Sequence, residues 1–514
     1  MKHDTILVLD FGGQYAHLIG RRIREHNVYS EIAPCDATLG EIGKISDRLN
    51  IKGIILSGGP SSVYEKDAPP FDSRIMALNL PILGICYGHQ LIAHLSEGEI
   101  KRGEKKEYGT TQATIEKSID ILEGLNKTER VWMSHGDVVY QLPSDYEVLA
   151  STENCPVAAF RHKQKQIYGL QWHPEVVHTD SGMKMLWNFI FDICKCRPTW
   201  TMKDFINNSL KEIKRTVGGE KAILALSGGI DSSTTAVLTA RAIGKNLTAV
   251  FVDHGFMRLG EPEFVDETFR EFGLNLIVVD AKERFLRRLK GIFDPEQKRK
   301  IIGEEFIRVF EGIASEVRAP YLFQGTIYPD RIESGFKKHS DKIKSHHNVG
   351  GLPLKIDFKE IVEPLKDLYK DEVRKIAKEL GLPSEIALRQ PFPGPGLAVR
   401  ILGEVTQEKL DIVKKADAIV TKEIEKRKLE EGLWQYFAVL TEARSTGVKG
   451  DARTYGYTVV VRVVESKEAM TARFAKVSYD VLEVISTRIT NEIPQVTRVV
   501  YDITHKPPAT IEWE

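Results

Sequence analysis

The chain has 514 residues, 42% hydrophobic and 28% charged, a composition that supports large buried cores and excludes a disordered chain. Its 72 Lys and Arg balance 72 Asp and Glu, so no net field draws the whole molecule to nucleic acid or anionic lipid. The amino terminus, MKHDTILVLDFGG, lacks a cleavable leader pattern and no later apolar run reaches membrane-spanning length, so a cytoplasmic location without membrane or nucleic-acid partners is expected.

A prior of roughly 150 residues per domain predicts about three units. The five cysteines (Cys35, Cys86, Cys155, Cys194 and Cys196) are odd in number and all precede residue 197. That pattern argues against a disulfide framework, and the lone Cys194-x-Cys196 pair reads as a helix end rather than a metal site.

In chain order, TILVL (5–9), IKGIILS (51–57) and LPILGI (80–85) are short apolar runs that end in Gly-rich turns, the signature of strands in a parallel α/β sheet. A predicted helix, MKMLWNFIFDIC, closes the segment before Arg197-Pro198 breaks the pattern. Within it, Gly84-Ile85-Cys86-Tyr87-Gly88 lies between an apolar strand and the helix-like HQLIAHL, a strand-nucleophile-helix elbow with Cys in place of Ser. A sulfur at a helix N-terminus, with an imidazole nearby, favours the thiolate that attacks carbonyl groups. Gln171-Trp172-His173-Pro174-Glu175 offers that imidazole and a carboxylate to orient it, and the turn Ser57-Gly58-Gly59-Pro60-Ser61 can aim an amide at an oxyanion, with the Tyr87 amide as a second donor.

A second alternation runs through AILALSGG (222–229), LTAVFVD (247–253), LNLIVVD (274–280) and PYLFQGT (320–326), with intervening helices ending at Gly244 and Gly273, and predicts another doubly wound sheet. Its loop Ser227-Gly228-Gly229-Ile230-Asp231-Ser232-Ser233 joins a strand to a helix and is suited to bind phosphate. No Lys follows the glycines, which speaks against γ-phosphoryl transfer of the kinase or GTPase type. The polar stretch between Arg331 and Gly350 is expected to form a lid. Two Pro-Gly steps in RQPFPGPGLAVR (389–400) then open a third, α+β segment that contains the strand YTVVVRVV (457–464).

These motifs carry a resemblance to known families. DFGGQY, SGGPSS, GICYGHQL, SHGD and QWHPE together resemble the class I, triad-type glutamine amidotransferases over residues 5–195. The resemblance implies Cys86 as nucleophile, His173 as base, Glu175 as its orienter, the Gly59 and Tyr87 amides as oxyanion hole, and Gln90 with Ser134, His135, Gly136 and Asp137 around the glutamine. SGGIDSS resembles the PP-loop ATP pyrophosphatases, which cleave between the α- and β-phosphates. VFVDHGFMR, KRKIIGEEF, FQGTIYPDRIES and KSHHNVGGLP resemble the GMP synthase family.

In that family Asp330, Glu333, Lys344, His346 and His347 would act around the triphosphate and Mg2+, with Asp231 as a metal ligand. GDARTYGYTVVVR and RVVYDITHKPPATIEWE resemble the family's carboxy-terminal dimerisation domain. They imply a homodimer and contacts to xanthosine monophosphate (XMP) from Arg299, Gln435, Arg498, Lys506, Ile511 and Glu512.

The expectation is an α/β chain with two doubly wound parallel-sheet domains, an amidotransferase at 1–197 and an ATP pyrophosphatase at 198–389, followed by a smaller α+β domain at 390–514. Its substrates would be glutamine, ATP and XMP. A base-thiolating enzyme with the same loop would need Cys beside it, and none follows Cys196. A non-catalytic nucleotide sensor would not keep three triad residues together with an intact phosphate loop.

Overall fold

The computed structural model describes residues 2–335, 358–466 and 471–514, so Lys344, His346 and His347 lie outside the described residues. The chain divides into two compact units, one running through Phe205 and the other beginning at Ile206.

The apolar runs of the first unit become β1 (Asp4–Asp10), β2 (Tyr29–Pro34), β3 (Asn50–Leu56) and β4 (Ile82–Ile85). They continue into β5 (Glu99–Ile115), β6 (Thr128–Gln141), β7 (Tyr146–Ser151), β8 (Ala159–His162) and β9 (Ile167–Leu170). One nine-stranded sheet results, in the order β2-β1-β3-β4-β9-β8-β7-β5-β6. The first five strands of that order pair in parallel and the rest antiparallel, so the sheet is parallel in one half and antiparallel in the other. Ile54, Leu56, Leu7 and Leu9 are fully buried, which is why these strands read as unbroken apolar runs rather than alternating ones. Burial of each such side chain contributes about 1.5–3 kcal/mol.

The hairpin of β5 and β6 was not expected. Its sequence, EIKRGEKKEYGTTQATI, is mostly polar and shows no apolar run, yet it pairs from Glu99 opposite Gln141 to Thr114 opposite Thr128 and carries Ser134 to Asp137 toward the strand ends. The predicted closing helix is present as an α-helix, Gly182–Trp187, that widens into a π-helical turn at Asn188–Ile193.

The second unit holds β10 (Ala222–Leu226), β11 (Leu247–Asp253), β12 (Asn275–Asp280), β13 (Tyr321–Phe323) and β14 (Glu360–Val362) in an all-parallel sheet ordered β12-β11-β10-β13-β14. The order reverses at β10, and a crevice at the carboxyl ends of the strands beside such a reversal is where ligands bind in this class of sheet. The same unit contains a further sheet of β15 (Gln435–Lys449), β16 (Ala452–Glu465), β17 (Arg473–Phe474) and β18 (Val496–Tyr501). A single hydrophobic cluster spans both sheets, joining Ile223, Val250 and Phe256 to Val413, Leu440 and Val461, so residues 390–514 share a core with the phosphate-loop sheet. The stretch expected to be a lid begins as a helix, Tyr328–Gly335, whose start is held by the Asp330 carboxylate accepting from the Ile327 amide at 3.3 Å. Among the described residues no helix is long and apolar enough to cross a membrane.

Two glycines in the first unit should respond in opposite directions to the same substitution. A methyl at Gly88 would lie 2.3 Å from the Leu56 carbonyl oxygen, whereas at Gly43, on the helix Leu39–Arg48, it would meet nothing within 4 Å. Gly88→Ala should therefore destabilise by about 1–3 kcal/mol through overpacking. Gly43→Ala should stabilise by about 0.5–1 kcal/mol through lower backbone entropy in the unfolded chain, with denaturant unfolding reading both.

Candidate active sites

Cys86 follows β4 directly and adopts φ 53° and ψ −104°, then serves as the N-cap of the helix Tyr87–Leu95. Positive φ is unusual for a residue with a Cβ and costs about 1–3 kcal/mol, so the surroundings must enforce it. They do: the Cys86 amide donates to Leu170 O at 2.8 Å and the Gly88 amide to Ser57 O at 3.1 Å, while a side chain at Gly84 would strike Gly88 at 2.4 Å. The sulfur is left at the positive end of a helix, 3.6 Å from the Ser134 carbonyl oxygen.

His173 Nδ1 lies 2.7 Å from Glu175 Oε1, and both side chains are buried. The histidine backbone is clamped: its amide donates to Trp132 O at 3.0 Å, its carbonyl accepts from the Thr179 hydroxyl at 2.6 Å, and that hydroxyl accepts from the Trp132 amide at 3.0 Å. Arg22 Nε donates to the Glu175 carbonyl at 2.9 Å, and the Tyr15 ring meets the imidazole edge-on at 5.0 Å. Burial opposes the imidazolium, but the charges of Glu175 and Cys86 outweigh it and push His173 up to about 10. A protonated imidazole beside a cysteine is the arrangement from which thiolate attack on a carbonyl proceeds.

These groups open onto a cavity of about 600 Å³ lined by Gly59, Tyr87, Gln90 and the Ser134–Asp137 stretch. Gln90 donates to the Asp137 carbonyl at 3.0 Å and to Gln171 Oε1 at 3.2 Å, and Tyr64 OH donates to Asp137 Oδ1 at 2.9 Å. The His135 ring is fixed by Asp137 O at 2.9 Å from Nδ1 and Glu107 Oε2 at 3.1 Å from Nε2. A Cβ at Gly59 would sit 2.8 Å from Phe11 O and 3.3 Å from the Tyr87 ring, and one at Gly58 3.1 Å from His173 Cε1, so only glycine fits the turn beside the sulfur. The other thiols are poor nucleophiles: burial pushes Cys155 and Cys196 up to about 12, Cys194 well above the ordinary thiol range and Cys35 upward.

In the second unit the loop Ser227–Gly229 runs from β10 into the helix Ile230–Ile243, with Gly228 at φ 75°. Ser232 Oγ accepts from the Ser227 amide at 3.1 Å and lies 2.9 Å from Ser227 Oγ, which itself accepts from the Gly229 amide at 3.3 Å. Asp231 faces Lys370 Nζ at 2.5 Å through Oδ2, while its Oδ1 and the Ser233 hydroxyl are buried without a hydrogen-bond partner. Arg389 Nη1 donates to the Gly228 carbonyl at 3.3 Å and Nη2 pairs with Glu261 at 2.5 Å. A methyl at Gly325 would come within 3.0 Å of the Asp231 backbone, which brings the end of β13 against the loop.

Of the six expected XMP contacts, Gln435 and Glu512 are joined directly, Nε2 to Oε1 at 2.9 Å. Arg299 pairs with Glu296 at 3.6 Å, next to Lys298, whose ammonium bonds the Ile401 carbonyl at 2.7 Å and the Glu514 carboxylate. Ile511 packs with Phe437, Val439 and Val460, and so anchors the tail rather than facing solvent. Lys506 pairs by backbone with Ala472, amide to carbonyl at 2.8 Å. Arg498 is exposed on β18 and donates to Ser445 Oγ at 3.3 Å, apart from the Gln435–Glu512 pair.

With this geometry in hand, similarity to known proteins becomes informative. The class-I glutamine amidotransferase model matches residues 7–193, the NAD synthase model 201–304 and the GMP synthase C-terminal domain model 422–513. The glutamine-hydrolysing GMP synthase of Caldicellulosiruptor saccharolyticus is 56% identical over 100% of both chains. That of Bacillus subtilis is 53% identical over 100% of this chain and 99% of its own. The chain belongs to the glutamine-hydrolysing GMP synthase family.

Sequence reasoning missed the residues that hold this family member's sites in place. Arg22 on a helix, Glu107 on β5 and Tyr64 and Thr179 in turns brace the cysteine site, and no motif marks them because each makes a contact to a residue distant in sequence. Lys370 and Arg389 at the phosphate loop were missed for the same reason.

The raised His173 value predicts a pH-dependent stability. A folded value of about 10 against an ordinary 6.5 means the protonated histidine stabilises the fold fully below about pH 6.5 and loses that contribution as pH rises toward 10. Glu175→Gln removes the largest attraction, so its stability deficit relative to the parent should be greatest near pH 6 and shrink toward pH 10 in denaturant titrations.

Proposed function

We propose that this chain makes GMP from XMP with ammonia it releases from glutamine, cleaving ATP to AMP and pyrophosphate. The observation that carries the reading is the pairing, in one family member, of a positive-φ cysteine facing a buried His–Glu pair with a lysine-free phosphate loop.

In the first unit the Cys86 sulfur attacks the glutamine amide carbon, and the C–N bond breaks as His173 gives its proton to the departing ammonia. Glu175 keeps the imidazole oriented and the Gly59 and Tyr87 amides receive the oxyanion. Water then attacks the thioester, glutamate leaves and the thiol is restored. Gln90 and the Ser134–Asp137 stretch hold the substrate's amino-acid end, with Tyr64 fixing the Asp137 carboxylate toward its ammonium.

In the second unit Ser227, Gly228, Gly229, Ile230, Ser232 and Ser233 cradle the triphosphate, the Ser233 hydroxyl being buried and still without a partner. The acceptor's O2 attacks the α-phosphorus, pyrophosphate leaves, and ammonia displaces AMP from C2. An oxygen that is a very poor leaving group thereby departs as part of a good one. Asp231 fits a role in holding Mg2+, because its Oδ1 is buried without a hydrogen-bond partner at the start of the phosphate-loop helix, and such an ion takes its remaining oxygens from phosphate and water. When bound, Mg2+ would offset triphosphate charge.

Asp330, Glu333, Lys344, His346 and His347 serve the adenylation step in this reading. Arg299 and Lys506 suit the acceptor phosphate, and Gln435, Ile511 and Glu512 its base. Arg498, exposed on β18, stays with the acceptor residues as the resemblance implies, and a homodimer in the cytoplasm completes the reading. Support for pairing comes from exposed apolar side chains on the last sheet and its helix, among them Tyr479 (88% exposed), Tyr455 and Val500, with Ile503 just beyond β18.

Cys86→Ala should abolish glutamine-dependent GMP formation and leave ammonia-dependent formation intact. The assay is chromatography of GMP and AMP with pyrophosphate release, and release that ignores XMP would sink the acceptor assignment. Tyr479→Asp should convert the dimer to monomer in sedimentation velocity, and a parent that sediments as a monomer would refute pairing.

A further inference from the structure

A fully buried arginine stands behind the acceptor residues and has no role in the reading above. Arg400 ends the turn Gly396–Arg400 and has no solvent exposure. Its Nε and Nη2 donate to the two oxygens of Glu512, each at 3.0 Å, and Nη1 donates to Asp417 Oδ1 at 3.2 Å. The guanidinium lies 4.0 Å from the Phe437 ring centroid and 5.2 Å from that of Phe392. Asp417, also buried, accepts the Ala438 amide at 3.2 Å, and its other oxygen is 3.6 Å from Arg258 Nε. Two cations and two anions thus balance in a site that would not tolerate either sign alone.

The fork has a directional consequence. A carboxylate offers about four lone-pair positions; Arg400 fills two on Glu512 and the Gln435 amide a third. Among the described residues' bonds, one position is left to accept an N–H, and its direction is set by the arginine. The Gln435 amide is pinned in turn, because its nitrogen also donates to the Pro391 carbonyl at 3.0 Å.

We infer that Arg400 is a positioning residue for acceptor recognition: braced by Asp417, its two-pronged bond fixes the Glu512 carboxylate, and through it Gln435, in the attitude that reads the acceptor's base. The inference rests on the reading that Glu512 and Gln435 meet that base. Lysine at this position keeps the charge and loses the planar fork, so Arg400→Lys isolates geometry from electrostatics. Asp417→Asn weakens the brace without touching Glu512.

The test measures ammonia-dependent GMP formation by the full-length chain carrying Arg400→Lys, Asp417→Asn, Glu512→Gln or Gln435→Ala, with thermal melting of each. Loss of a charge-assisted bidentate bond should raise the KM for XMP about 10- to 100-fold in Arg400→Lys. The KM for ATP should change less than about twofold, since a positioning defect spares the other substrate. Asp417→Asn should shift the same KM in the same direction by less, and it decides the matter if Arg400→Lys does not fold. Should Glu512→Gln and Gln435→Ala raise the KM for XMP while Arg400→Lys and Asp417→Asn leave it unchanged, the positioning role is overturned and the acceptor reading stands. Should Glu512→Gln and Gln435→Ala leave it unchanged, the acceptor reading fails and this inference with it.

Discussion

The helix that begins at Tyr87 rests on the sheet backbone to backbone. Gly88 touches the Leu56 carbonyl of β3, Gly84 touches Gly88, and no side chain fits between them. That contact dictates where Cys86 sits. With the helix so close to the strands, the turn between β4 and the helix has one residue to spend, and that residue adopts positive φ with its side chain above the strand ends. The Ser57–Gly59 turn at the end of the neighbouring strand is brought alongside, and His173 arrives next to Gly58 just after β9 on the other flank. Hydrogen bonds from Arg22 and Thr179 hold the histidine and glutamate, but the backbone contact at Gly88 sets the point at which they aim.

The phosphate loop solves a related problem with different residues. It too joins a buried parallel strand to a helix, and Gly228 supplies the positive φ that Cys86 supplies in the first unit. Here the turn is three residues long and filled with hydroxyls and amides, so the helix end meets an anion rather than carrying a nucleophile. The reversal of strand order at β10 opens the crevice, and Gly325 lets β13 approach without closing it.

Much of this was legible in the sequence because buried parallel strands announce themselves as unbroken apolar runs, and because both turns require glycines in a fixed register with their functional residues. Cys86, His173 and Glu175, which the fold brings to one cavity or its wall, were singled out from local pattern, as was the Ser227–Ser233 loop that joins β10 to its helix. The β5–β6 hairpin was not, since a strand such as EIKRGEKKEYGTTQATI is mostly polar and its pairing is set by register with a partner rather than by hydrophobicity. The acceptor group depended on family likeness: nothing in the spacing of Gln435, Arg400 and Glu512 betrays that they meet, because the contacts bridge up to 112 residues. The same holds for Thr179 and Arg22, whose importance lies in what they grip.

The distribution of thiols has a practical side. Burial pushes four of the five thiols above their ordinary range, and residues beyond 196 contain no cysteine. The second unit therefore starts without a thiol, so one cysteine placed there by mutation gives a fluorophore or spin label a position with no native competitor in that unit.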